Sequence, residues 1–197
     1  MGLFDTILGR TKPVKANLDA LFSLPSAAIT LQASAGLVAT GRAGVCFKPP
    51  AGQSFESMQS DLEQLLKLDA TQSATVRHVG DSYGYRWIIV EAPALDDLVT
   101  RVHMVHSSLE DAGWSTQLLC SVFGFAPGSD TDVTDAVSQP LYVVYLAKRG
   151  TFYPFAPSGK EQRDTELELR IRSVIGDDLP VESDLSRWFP LWDLPIA

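Results

Sequence analysis

Apolar positions along the chain follow two periods, and the alternation between them predicts the order of elements. Leu95, Leu98, Val102, Val105 and Leu109 recur at helical spacing and stop before Gly113, a residue suited to closing a helix. Phe55, Met58, Leu62, Leu65 and Leu66 repeat that spacing behind Ser54, which serves as an N-cap. A shorter helical piece is predicted from Asn17 to Leu24, starting at a capping Asn and ending before Pro25. Between these, apolar and β-branched runs predict strands at 28–32, 44–48, 75–79, 85–91, 117–125 and 141–147. Trp87-Ile88-Ile89-Val90 is apolar without alternation, as in a strand covered on both faces. Residues 160–175 carry both signals. Leu167, Leu169 and Ile171 alternate like a strand, whereas Leu167, Ile171, Val174 and Ile175 share a helical face. Glu166–Arg170 and Glu168–Arg172 are i,i+4 pairs in the favourable order, and Gly176 supplies a stop, so a helix is expected.

The resulting order is a ββα unit three times over, behind two short N-terminal helices, the first ending before Pro13. Hairpins joined by helices predict an α+β fold, a mostly antiparallel sheet with helices packed on it. Residues 1–15 are expected to form a basic amphipathic segment. Residues 16–197 would form a single α+β domain that includes an aromatic C-terminal tail, 184–197.

Bulk composition narrows the class. A chain of 197 residues buries roughly 70% of the surface exposed on unfolding. Its 45% hydrophobic and 20% charged content is ordinary for a soluble domain. No run approaches the ~20 apolar residues that span a bilayer, and Asp5 and Arg10 interrupt what would be a secretory core. A cytoplasmic protein is expected. Cys46 and Cys120 lie in apolar stretches and in no C-x-x-C pair, which predicts two reduced core thiols and lends no support to redox or zinc chemistry.

The net charge of −8 disfavours nucleic acid, whose binding depends on Lys and Arg neutralising phosphates. The charge is uneven. Arg10, Lys12 and Lys15 against Asp5 make residues 1–15 +2, which leaves −10 for the remainder.

Candidate chemistry is sparse. Gly80-Asp81-Ser82 resembles the opening of a serine-hydrolase motif, but no histidine follows His106, and the same residues make a hairpin turn. His103, His106 and Glu110 could share a helical face and hold a metal, although no fourth ligand is signalled. Asp130, Asp132 and Asp135 fail as a calcium loop, because the sixth and twelfth positions hold Asp135 and Leu141 rather than Gly and Glu. No cofactor and no metal is called for, and no catalytic residue is assigned. Glu91, His103, His106, Glu110 and Arg149 remain the contributors to a scattered metal-dependent hydrolase site, the enzymatic alternative.

Binding signals are stronger. Leu3, Phe4, Ile7 and Leu8 share one face of a helix too short to be stable alone. It needs a receiving surface, whether lipid, a partner or the protein's own sheet. Arg10, Lys12 and Lys15 favour anionic lipid or an acidic partner, and Gly2 with Thr6 fits an acylation pattern. Lys148, Arg149, Phe152, Tyr153 and Phe155 place cations beside aromatics after a buried-looking strand. Arg187, Trp188, Phe189 and Trp192 do so near the C-terminus. Both groups are read either as contact surfaces or as rings folded over the sheet.

Four stretches together resemble the PspA-associated protein B family: GLFDTILGRTKPVK at 2–15, NLDALFSLPSA at 17–27, KRGTFYPFAP at 148–157 and DLPVESDLSRWFPLW at 178–192. The resemblance implies a bacterial or archaeal cytoplasmic accessory protein encoded near a PspA-type membrane-remodelling protein in an envelope-stress system. Its partners would be that protein or a neighbouring membrane protease, with peripheral contact at the inner face of the cell membrane. The resemblance carries over no catalytic residues. A looser likeness is to small α+β adaptors built like secretion chaperones, which leaves a client-binding role as a further alternative.

Overall fold

The computed structural model describes residues 17–48, 75–111, 113–129 and 133–196. The predicted helices at 2–10 and 54–66, and the leader residues Leu3, Phe4, Ile7, Leu8, Arg10, Lys12 and Lys15, lie outside the described residues, as do Asp130 and Asp132. The elements are helix α1 (Leu24–Ala35), strand β1 (Leu37–Phe47), the hairpin β2 (Thr75–Gly80) and β3 (Arg86–Glu91), and helix α2 (Leu95–Asp111). Strands β4 (Leu118–Pro127), β5 (Leu141–Leu146) and β6 (Thr151–Phe155) follow. After the small pair β7 (Pro157–Gly159) and β8 (Gln162–Arg163) comes helix α3 (Thr165–Ile175).

Six strands form one sheet in the order β2-β3-β1-β4-β5-β6, and every neighbouring pair is antiparallel. This is the expected α+β class. Period two sorts its side chains onto two apolar faces. Val45, Phe47, Ile88, Val90, Phe123, Val143, Tyr145 and Phe152 face the helices. Cys46, Trp87, Ile89, Cys120, Val122, Val144, Tyr153 and Phe155 face the opposite way. The uninterrupted Trp87–Val90 run is thereby explained, since β3 is buried on both sides.

Three parts of the predicted order change. Residues 28–32 are not a strand but the middle of α1, because Pro25 sits in the first turn of that helix. There its missing N–H costs nothing and its fixed φ favours the helix. Asn17 to Leu24 shrinks to a 3-10 turn, Leu18–Ser23, running into α1. Residues 151–155, read as a loop, form the edge strand β6, with Pro154 tolerated at an edge position. Helix α3 starts at Thr165 rather than 160, capped by Asp164, whose carboxylate accepts from Leu167 N at 2.9 Å. The expected Glu168–Arg172 pair is replaced: Glu168 is buried and binds Arg163.

Strand β1 bends at Gly41, where the register with β4 shifts between Ala39 and Ala43. Gly41 has φ +74, and a Cβ there would sit 2.6 Å from Ala92 O, so only glycine fits. The N-terminal end of the described chain is tied down by Tyr145, whose hydroxyl donates to Asn17 O at 2.9 Å. Asp178, after α3, accepts from Ser26 and Thr30 of α1 at 2.9 and 2.7 Å, joining those two helices.

Helix α2 carries His106 into the core against β4, where its Nε2 shares a 2.5 Å hydrogen bond with Ser121 Oγ. The Tyr145 ring lies edge-on at 5.9 Å, and both polar side chains are fully buried. Burial first, and nearby His103 second, lower the His106 pKa to about 4. His106 thus stays neutral when folded while the unfolded chain's imidazole protonates near 6.5, so stability is complete above that value and falls as pH drops toward 4. Chemical denaturation should show a loss of about 2–3 kcal/mol from this group between pH 7 and 4.5. A His106→Gln variant should lose that slope; an unchanged slope would contradict the assignment.

Candidate functional site

The described helices cover one apolar face of the sheet. The other face is crossed by the chain after α3, whose route is fixed by two buried carboxylates. Val181 bridges Phe152 in parallel, with Phe152 N donating to Pro180 O at 2.9 Å and Glu182 N to Phe152 O at 2.7 Å. This seats the tail on the free edge of β6. Glu182, 1% exposed, accepts from Arg149, from Thr151 Oγ1 at 3.1 Å and from Asp184 N at 3.1 Å. Burial alone would raise its pKa, but the Arg149 hydrogen bond and the other donors outweigh that and lower it.

Glu168 is the second anchor. It accepts from Ala156 N at 2.9 Å and forms a two-oxygen pair with Arg163, whose Nη1 donates to Trp188 O at 2.6 Å. Trp188 stacks on Tyr153 at 5.8 Å, and its indole N–H donates to Glu182 O at 3.0 Å. Tyr153 hydroxyl donates to Phe189 O at 2.9 Å. Burial pushes the Tyr153 pKa well up, so it remains a donor. Phe155 takes the edge of Trp192 at 5.5 Å. Asp184, held down to about 2 by Ser186 and Arg187, caps the start of a 3-10 turn at Leu185–Arg187.

The tail does not cover the whole face. Between it and the β2–β3 hairpin lies a cleft of about 750 Å³. Its floor is Cys46, Cys120, Leu119 and Leu146; one wall is Tyr83, Tyr85 and Trp87, and the other is Phe189, Pro190, Leu191 and Trp192. Lys148, Arg149 and Arg187 stand at its margin with Asp81. Arg149 is taken by Glu182 and Arg187 by Asp184, whereas Lys148 has no carboxylate partner among the described residues. Gly80-Asp81-Ser82 is the turn that builds the hairpin wall. Asp81 accepts from Tyr83 N, Tyr85 N and the Trp87 indole, each at 2.9 Å, and Gly84 closes the turn at φ +82.

The two basic–aromatic groups of the sequence therefore meet. Lys148, Arg149, Tyr153, Arg187, Phe189 and Trp192 all line this cleft. Phe152 instead belongs to the helix-facing core, and Phe155 and Trp188 are buried beneath the tail. Phe189 is 58% exposed, the most open ring among them. Sequence reasoning missed Tyr83, Tyr85 and the two cysteines, because the strand pairings that gather them leave no local signature.

Four of the enzymatic candidates are engaged elsewhere. His106 is sealed in the core, His103 packs on Phe22 at 5.1 Å, Glu91 pairs with Arg77 and Arg149 with Glu182. Among the described residues no cluster of three potential metal ligands occurs, and no helix is long and apolar enough to cross a membrane.

Among the described residues, an antiparallel six-stranded sheet with helices on one face and a strapped, partly open aromatic face on the other defines an α+β scaffold with an aromatic cleft. The chain belongs to the PspA-associated protein B family, whose model matches residues 1–196, and that name records an association with PspA. No curated protein and no solved structure matches it.

Removing the Glu182 carboxylate should loosen the tail. Glu182→Ala deletes the acceptor for Arg149, Thr151 and Asp184 N, a loss of about 1–3 kcal/mol in denaturant titration. Hydrogen exchange should accelerate first at Trp188 and Phe152. Unchanged protection there would show that packing alone holds the tail.

Proposed function

We propose that this protein is a non-enzymatic accessory factor that binds a PspA-type partner through the aromatic cleft, with the leader at residues 1–15 supplying a second, peripheral contact to anionic membrane or to the same partner. The observation that carries this reading is the cleft itself. It is a concave surface built from tyrosine, tryptophan and phenylalanine, with Lys148, which has no carboxylate partner among the described residues, at its margin. Those residue types dominate binding energy at protein interfaces. The polar groups around the cleft are occupied in shaping it, as Asp81, Glu182 and Asp184 illustrate. A partner segment with an apolar anchor and a nearby carboxylate fits this chemistry, the anchor against Phe189 and Trp87 and the carboxylate toward Lys148. The family association supports the choice of a PspA-type protein as that partner.

Titration calorimetry with a purified PspA-type protein tests the reading. Phe189→Ala should weaken binding about 10-fold or more, the cost of losing one interfacial aromatic, without lowering the melting temperature, because the ring is exposed. Lys148→Glu should weaken it further at low salt than at high salt. Affinities that match the native chain in both variants would remove the cleft from the interaction. Flotation with anionic vesicles, comparing the full chain with one lacking residues 1–15, tests the leader: recovery should fall on truncation, and equal recovery would remove the membrane contact.

A further inference from the structure

We propose that Cys46 and Cys120 form a reversible dithiol–disulfide site on the floor of the cleft, oxidised by low-molecular-weight disulfides entering from solvent. The two are the chain's only cysteines and stand far apart in sequence, yet they are directly opposed partners in the β1–β4 register. Directly opposed residues of an antiparallel pair have Cα atoms about 4.5–5.5 Å apart, inside the roughly 4.4–6.8 Å that a disulfide spans. Both side chains lie on the same face of the sheet, 3% and 5% exposed. Both are free thiols. Two further features separate them from inert core cysteines. Although buried, both line the cleft, and the register slips immediately after Cys46, between it and Phe47. Such an irregularity disrupts the ladder locally, directly beside the pair.

The chemistry balances as an exchange. One protein sulfur loses its proton to water and attacks a sulfur of a small disulfide RS–SR. A protein–S–S–R bond forms, the S–S bond of the reagent breaks, and RS⁻ leaves and takes up a proton. The second protein sulfur, deprotonated in turn, attacks the protein-side sulfur, forms the Cys46–Cys120 bond and expels the second RS⁻. Two protein thiols are oxidised by two electrons and one small disulfide is reduced to two thiols. The neighbouring Cys120 first, and burial second, push the Cys46 thiol up, so Cys46 rests protonated at neutral pH until it meets an oxidant of that class. The inference stands apart from the partner reading, since it needs only the cleft to admit the reagent.

Hydroxyethyl disulfide is a probe small enough for the cleft. The full native chain is equilibrated with an excess of it at pH 8, quenched in acid, unfolded, alkylated and weighed by mass spectrometry. The expected result is loss of both alkylatable thiols, a chain lighter by two hydrogens with no bound reagent, and one linked peptide pair carrying Cys46 and Cys120. Dithiothreitol should restore both thiols. Two thiols that survive, a reagent adduct that persists on the native chain, or a disulfide between two chains would each overturn the proposal. The reading is made on the native protein and so does not depend on any variant folding. As a second measurement, Cys46→Ser or Cys120→Ser should retain one adduct where the native chain retains none.

Discussion

A sheet that is apolar on both faces must be covered twice, and the described helices lie on only one side. Period two in β1, β3, β4, β5 and β6 sends alternate residues to opposite faces, and both sets are large and apolar. Exposing the second set to water would forfeit roughly 1.5–3 kcal/mol for each sizeable side chain. Everything after α3 follows from that constraint. The tail has almost no regular structure, so it cannot satisfy its backbone internally, yet it has to lie across apolar surface. It borrows partners from the sheet: the free edge of β6 for Val181 and Glu182, and the Tyr153 hydroxyl for Phe189 O.

Two buried carboxylates make this cover definite rather than merely greasy. An apolar tail could slide on an apolar face, whereas Glu182 and Glu168 each require a particular set of donors. Leaving either without them would carry the desolvation penalty of a charge in the interior. Glu182 finds Arg149, Thr151 and a backbone N–H; Glu168 finds Arg163 and Ala156 N. Arg163 then reaches Trp188 O and stands over the Phe155 ring at 5.4 Å. The anchoring therefore links α3, β6, the β5–β6 turn and the tail.

What was legible in the sequence was periodicity sustained over a long stretch. The α2 stripe, the β3 run and the β2–β3 turn are local patterns, and the structure follows them. Pro25 misled, because a proline in the first turn of a helix and a proline after its end look alike without tertiary context. Thr151–Phe155 was obscured by Pro154, which only an edge position excuses. The basic–aromatic groups at 148–155 and 187–192 were visible, but their meeting was not. Their adjacency depends on a parallel bridge between Phe152 and Val181 that no spacing predicts. Cys46 and Cys120 mark the same limit: absence of a C-x-x-C pair says nothing about residues made neighbours by strand register.

The composition of the cleft suits the binding role proposed for it. Catalytic groups need to be available, with a proton or a charge left over for substrate. Here Asp81 holds three donors of its own hairpin, Arg149 answers Glu182, Arg187 answers Asp184, and the Tyr153 hydroxyl is given to Phe189 O. Their bonding capacity goes into shaping the cavity. What faces the opening is aromatic area from the hairpin on one side and from the tail on the other. Such a surface gains its free energy by excluding water from a matching apolar segment. Because one of its walls is the tail itself, held by Glu182, the shape of the cleft is tied to the same contacts that keep the second face of the sheet out of water.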